Sequence, residues 1–153
     1  MGRFAEGTHP ARVVTLVGGT GTGKSHLLEA AARRMVQSAS VHLAYVPALL
    51  QAFQRAFGDR EATERMTTNL LTVDVLLLDD LGAEQATPWS KPQLLWLMDQ
   101  RMRDGKALVV ATNLGEVEIA TQVDMRLASR LWDEQSGDAK VVFLTCGDYR
   151  RGR

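Results

Sequence analysis

Residues 18–25 read Gly-Gly-Thr-Gly-Thr-Gly-Lys-Ser and fit the pattern G-x-x-x-x-G-K-[ST] without a mismatch. A loop this rich in glycine can turn its backbone N–H groups inward around phosphate oxygens. Such a loop needs positive φ angles, which only glycine adopts at little cost. From Gly18, Gly19, Thr20, Gly21, Thr22 and Gly23 we expect a phosphate cradle. Lys24 is expected to set a point charge near the β- and γ-phosphates, and the Ser25 hydroxyl to ligate Mg²⁺. A helix starting here aims its positive end at the anion. A flexible Gly/Thr loop that binds nothing would match by chance in about one chain of this size in a hundred, so the flanks decide. Upstream, Arg-Val-Val-Thr-Leu-Val (12–17) is a short apolar run that reads as a buried strand. Downstream, Leu27, Leu28, Ala31 and Met35 follow helical spacing. Strand, glycine loop and helix in that order form the context a triphosphate-binding loop requires.

The 153 residues suit one domain with a single core. Hydrophobic residues make up 45% and charged residues 24%, the balance of a soluble globular protein. Formal net charge is zero, so any contact with nucleic acid must rest on a local patch. A single cysteine, Cys146, excludes an intrachain disulfide and a thiolate metal cluster, and it reads as a small buried apolar residue. Residues 1–12 are polar and lack the apolar segment of a secretion signal. No apolar run approaches the length of a membrane span. The expectation is a cytoplasmic protein with no membrane partner.

Apolar runs alternate with amphipathic stretches. The runs are 13–17, 41–46, 73–78, 107–111 and 141–144, continuous rather than alternating, as in strands covered on both faces. Between them, Leu49, Leu50, Phe53 and Phe57 share one helical face that stops at Gly58. Ser90-Lys91-Pro92-Gln93 resembles a capping box, followed by a stripe of Leu94, Leu95, Met98 and Met102. Asp124 can cap a helix that turns Leu127 and Leu131 inward. The polar segment 58–69 reads as a solvated helix with a loop. This alternation predicts an α/β fold, a parallel sheet of five strands sandwiched by helices. Ligands of such sheets sit beyond the carboxyl ends of the strands, so the residues after each run matter most.

Run 73–78 is followed by Asp79 and Asp80. An apolar strand ending in acid is the second half of a P-loop ATPase site. Asp79 is expected to hold Mg²⁺ through its water shell, and Asp80 to orient or polarise the attacking water. Two acids capping a turn is the competing reading, and the glycine loop tips the balance. Glu84 is a further acid within reach, ranked below Asp80. Run 107–111 ends in Thr112-Asn113, where an amide can serve both a γ-phosphate and the lytic water, although Asn is often just a turn former. Arg126 and Arg130 stand i, i+4 on the helix that follows, away from its apolar side. They are either solvated arginines or the source of an arginine finger for a neighbouring subunit.

Together these segments resemble the AAA+ ATPases of the DnaC/IstB group, which comprises replicative helicase loaders and transposition helper ATPases, with DnaA initiators more distant. The resemblance runs from about residue 13 to 153. Gly-Thr-Gly-Lys-Ser-His-Leu (21–27) is close to the group's form of Walker A and adds His26 to the nucleotide contacts. Leu-Leu-Leu-Asp-Asp-Leu-Gly-Ala-Glu (76–84) looks like its Walker B segment, with a paired Asp where many AAA+ proteins have Asp-Glu, and Trp89 is also typical. Ala-Thr-Asn-Leu (111–114) matches sensor 1, which puts that role on Asn113. Arg-Leu-Ala-Ser-Arg-Leu (126–131) looks like the box VII helix, with the finger on Arg130 first and Arg126 second. Gly-Asp-Tyr-Arg-Arg (147–151) is similar to the group's ending. The resemblance implies a P-loop NTPase of the AAA+ ASCE type. Residues 1–12 are an N-terminal extension, 13–153 the ATPase core, and the helical lid is missing or minimal. Arg150 or Arg151 would then substitute for a sensor 2 arginine.

What the resemblance implies functionally is ATP hydrolysis with Mg²⁺, assembly into a homo-oligomer when ATP is bound, and remodelling of a DNA-bound partner. That partner is a replicative helicase or a transposase. Arg55, Arg60 and Arg65, with Arg150, Arg151 and Arg153, are the candidates for single-stranded DNA, set against ordinary surface charge. Two rivals stand beside this reading. One is a nucleotide-gated adaptor without meaningful turnover, compatible with Asp80 being one methylene shorter than Glu. The other is a P-loop small-molecule kinase, against which the Asp-Asp segment, Asn113 and the Ser-Arg helix argue.

Overall fold

Hydrophobic runs without alternation need cover on two sides, and the chain supplies it. The structure, a computed structural model, describes residues 11–82 and 88–145. Five strands, β1 (Val13–Val17), β2 (Val41–Tyr45), β3 (Val75–Leu81), β4 (Ala107–Thr112) and β5 (Ala139–Phe143), form one sheet in the order β2-β3-β4-β1-β5. Each neighbouring pair is parallel. The helices are α1 (Lys24–Met35), α2 (Val46–Arg55), α3 (Arg60–Thr72), α4 (Ser90–Arg103), a short α5 (Glu116–Glu118) that runs into a π-helical turn (Ile119–Val123), and α6 (Met125–Leu131).

Successive strand residues point to opposite faces, so each central strand feeds two cores. Leu76, Leu78, Leu108 and Val110 pack with Leu49, Leu50 and Phe53 of α2, Leu94, Leu97 and Met98 of α4, and Leu127 and Leu131 of α6. On the other face Val75, Leu77, Val109 and Ala111 pack with Leu28, Ala31 and Met35 of α1. Burying a leucine fully is worth about 1.5–3 kcal/mol, which explains why these strands tolerate almost no polar residue.

Several sequence expectations shift at the edges. β2 is an edge strand with His42, Leu43 and Tyr45 exposed, so run 41–46 is covered only in part, with Ala44 packed on one face and Val41 on the other. Val46 already starts α2, where Pro47 suits a first turn that has no N–H partner to lose. β3 starts two residues later than run 73–78 and continues through Asp79 and Asp80 to Leu81. Phe57 lies beyond α2 and is 65% exposed, because the helix ends at Arg55 before that position can turn inward. Ser90 is not an N-cap; it is the first residue of α4, follows Trp89 and is buried. Segment 58–69 is largely helical, with Asp59 capping α3 through a 2.9 Å bond from Ala62 N–H. Asp124 caps α6 as expected, accepting from Leu127 N–H at 2.9 Å. Spacing gave no sign of α5, whose one buried contribution is Ile119 in the adjoining turn.

One buried cation holds the end of the sheet opposite the glycine loop. Arg101 of α4 is fully buried. Its Nη1 donates to the carbonyls of Leu70 (2.7 Å), Leu71 (3.2 Å) and Val73 (2.9 Å). Its Nη2 donates to those of Asp74 (3.2 Å) and Ala107 (2.7 Å). The planar fork thus closes the end of α3 and the starts of β3 and β4 at once. Burial lowers its pKa to about 10, against an upward pull from Asp74, so the group stays charged near neutrality. Its Nε is buried without a partner. Arg101→Met would leave these carbonyls to find other donors, and should lower unfolding free energy by about 3 kcal/mol or more. Urea denaturation checks this; a loss below about 1 kcal/mol would show that the carbonyls re-pair cheaply.

Candidate nucleotide-binding site

Register decides which strand tips meet. Val17 of β1 lies beside Thr112 of β4, and Thr112 beside Leu81 of β3. The loop after β1, the amide after β4 and the acids of β3 therefore emerge on one edge, the carboxyl end of the sheet. Thr112 is buried and fastens the junction: its Oγ1 donates to the Leu81 carbonyl at 2.8 Å and accepts from Leu114 N–H at 3.0 Å.

The glycine loop has the backbone its sequence demands. Gly21 and Gly23 have φ of 82° and 86°, and Gly23 is the N-cap of α1. Gly18 is required for a different reason: a Cβ there would lie 2.8 Å from both the Leu144 carbonyl and Thr22 Oγ1. Above Gly19 and Gly23 a Cβ would meet nothing within 4 Å, which leaves room for a phosphate against the backbone. The first N–H groups of α1 have no partner within the helix and suit that anion. Lys24 is buried, with Nζ donating to the carbonyls of Gly18 (2.7 Å) and Gly19 (2.8 Å) and to Thr22 Oγ1 at 3.4 Å. Burial pushes this ammonium below the ordinary lysine value, and Asp80 and Asp79 pull it back up. Ser25 and His26 are exposed at the start of α1.

Asp80 has φ of 66°, and within the described residues no other non-glycine residue has a positive φ. A side chain in this region costs about 1–2 kcal/mol, less for Asp, which tolerates it best. The strain coincides with a register shift between Leu78 and Leu81, a bulge that re-aims the carboxylate. Asn113 Nδ2 reaches Asp80 Oδ1 at 3.5 Å, and the Tyr45 hydroxyl reaches Oδ2 at 3.5 Å. Both contacts are long and orient the carboxylate loosely. Tyr45 is the last residue of β2, a position that the local sequence pattern does not mark. Run 41–46 reads through Val46, which hides that Tyr45 is a strand tip.

The structure thus brings Lys24, Asp79, Asp80 and Asn113 together. Among the described residues no three His, Cys, Asp or Glu side chains converge to hold a metal by themselves. Ser25 and Asp79 with phosphate oxygens fit Mg²⁺, which binds one or two carboxylates and keeps its waters. Arg130 stands elsewhere, lining a cavity of about 260 Å³ with Arg12, Val13 and Ala139 at the amino ends of β1 and β5. Arg126 is exposed on the same helix. Of the DNA candidates, Arg60 pairs with Glu64 at 2.7 Å and Arg65 with Glu61, while Arg55 is exposed. Trp89 packs edge-to-face on Phe57 with ring centroids 5.1 Å apart. Glu84, Cys146, Arg150, Arg151 and Arg153 lie outside the described residues.

Comparison with known proteins gives the family and the fold. The family model described as IstB-like ATP binding protein matches residues 6–153. The phage-like element PBSX protein XkdC of Bacillus subtilis (strain 168) is 29% identical over 134 residues, covering 84% of this chain and 49% of that protein. Replicative helicase loader DnaC of Escherichia coli (strain K12) is 26% identical over 135 residues, covering 87% of this chain and 54% of that protein. The chain spans about half the length of these curated relatives. A crystal structure of the DnaC helicase loader shares the fold, with a TM-score of 0.79 at 19% identity over 93% of this chain and 84% of that one. With a five-stranded parallel sheet and a family match over nearly its whole length, the chain belongs to the IstB-like ATP-binding proteins.

Proposed function

We propose that this protein hydrolyses ATP with Mg²⁺ in a site shared between subunits, and that the cycle drives assembly on DNA and remodelling of a DNA-bound replicative helicase. One observation carries the catalytic part: a buried ammonium, two aspartates and an amide share the carboxyl edge of three adjacent strands. Lys24 would exchange loop carbonyls for β- and γ-phosphate oxygens. Ser25 and Asp79 would hold the metal, which neutralises charge developing on the phosphoryl oxygens. Asp80 and Asn113 would hold a water in line with the γ-phosphorus. As the water oxygen bonds to phosphorus, the bond to the β,γ-bridging oxygen breaks and ADP leaves. Asp80 accepts the proton or directs it to phosphate.

Arg130 supports the shared-site part. Arg130 is grouped with residues at the amino end of β1, while Gly18–Ser25 follow its carboxyl end. Five residues at about 3.3 Å each put on the order of 15 Å between those ends. An arginine there serves a neighbour's triphosphate better than its own. The helicase assignment draws on DnaC, a relative named as a replicative helicase loader. For single-stranded DNA, Arg55 offers a cation, and the exposed pairs of Arg60 and Arg65 are weak enough to exchange for phosphates. A second reading, the nucleotide-gated adaptor, draws on the short Asp80 side chain and its loose contacts.

Lys24→Ala should weaken ATP binding by about a hundredfold with circular dichroism unchanged; unaltered affinity would show that the loop is not the site. Turnover per subunit should rise with protein concentration, and Arg130→Ala should hold it at the dilute level, a loss of about two to three orders of magnitude. A flat concentration profile contradicts the shared site, and phosphate release at background with DNA present favours the adaptor. Affinity capture from native cells with a non-hydrolysable ATP analogue should recover a hexameric helicase; recovery of a transposase instead would overturn the helicase assignment.

A further inference from the structure

Arg130 does not project freely from α6. Its Nη1 donates to Oδ1 of Asp99, on α4, and the other oxygen of the same carboxylate accepts from Arg103 Nε at 2.7 Å. Asp99 is 32% exposed and Arg130 41% exposed. One carboxylate therefore ties together two guanidinium groups from two helices. We propose that Asp99 is a positioning residue for the trans-acting guanidinium of Arg130. This rests on the shared-site reading above and extends it to a second residue.

Three observations carry it. First, Asp99 stands on a rigid base. Leu97, Met98 and Arg101, its neighbours on α4, are all fully buried, and Arg101 is bonded to five carbonyls. A ligand-contacting group held to within a fraction of an ångström needs such support. Second, Asp99 distinguishes the two candidate fingers. Arg126 lines an adjoining cavity of about 230 Å³ with Asp99 and Arg130, yet no ion pair involves it among the described residues. Third, the charge balance suits presentation rather than concealment. Two arginines on one aspartate leave a net positive charge, and Arg130 keeps a large exposed fraction. A latch that silenced the finger would neutralise and cover it.

The physical benefit is preorganisation. A free arginine samples many rotamers and loses that freedom when it meets a transition state. One already fixed on a carboxylate loses less and sits nearer the productive geometry. An exposed ion pair alone contributes little to stability, so the role should appear in catalysis rather than in folding.

Mixing subunits separates these effects. A Lys24→Ala chain keeps Arg130 but cannot grip nucleotide, and an Arg130→Ala chain grips nucleotide but lacks the finger. Mixed, the two should recover turnover that neither shows alone. Asp99→Asn placed in the Lys24→Ala chain should cut the recovered kcat by about tenfold with KM for ATP unchanged. The same substitution placed in the Arg130→Ala chain should leave it within about twofold, and Asp99→Glu in the finger-donating chain should restore part of the loss. Equal losses from both placements would reveal a merely structural role, and no loss from either would reveal an idle surface pair; both overturn the proposal. A mixture that recovers nothing before Asp99 is altered overturns the shared site itself.

Discussion

The lateral register of β3, β4 and β1 sets where every reactive group can be. Parallel strands cannot slide by one residue without turning their apolar sets to the wrong faces. Leu76 and Leu78 must face one core while Val75 and Leu77 face the other. Once that alignment holds, Val17, Thr112 and Leu81 end side by side. The loop, the amide and the aspartates then meet without further instruction from the chain. Thr112 at one end and Arg101 at the other fasten the strands with side chains that bond to backbone rather than to each other.

Within this frame the strain is local. Asp80 takes a left-handed backbone within the bulge between Leu78 and Leu81, and Gly82, two residues on, has φ of 90°. An outlier of this kind is tolerated where the surroundings over-determine it, and such places are commonly functional. Here the buried Leu81, held by Thr112, fixes the backbone next to Asp80, while Tyr45 and Asn113 reach one carboxylate oxygen each at 3.5 Å. Asp79 and Asp80 lie at the carboxyl end of the sheet, while Arg130 lies toward the amino end, in a cavity lined by charges of both signs, Arg12, Lys106, Asp133 and Asp138 among them. A site completed only when the two ends of different subunits meet would couple assembly to nucleotide, each favouring the other.

The glycine loop, the β-α alternation and the acids after the third run were all legible in the sequence, because each rests on local pattern. Gly18 to Ser25 needs no tertiary partner to be recognised, and Asp124 caps a helix whose apolar spacing is plain. What stayed hidden depends on distant residues. Tyr45 matters through Asp80, and Asp99 through Arg130 on another helix. Arg101 looks like any charge near a helix end, and only the fold shows five carbonyls converging on it. Ser90 and Phe57 misled for the same reason. A capping pattern and a helical stripe are local signals, and the observed helix limits of α4 and α2 overruled them.

A crystal structure of the protein with Mg²⁺ and a non-hydrolysable ATP analogue puts the triphosphate grip to its sharpest trial. Lys24 Nζ, now on the Gly18 and Gly19 carbonyls, should move to the β- and γ-phosphate oxygens, with Asp79 and Ser25 turned toward the metal. An analogue bound away from the Gly18–Ser25 loop, or Lys24 unmoved beside a bound triphosphate, would contradict the assignment.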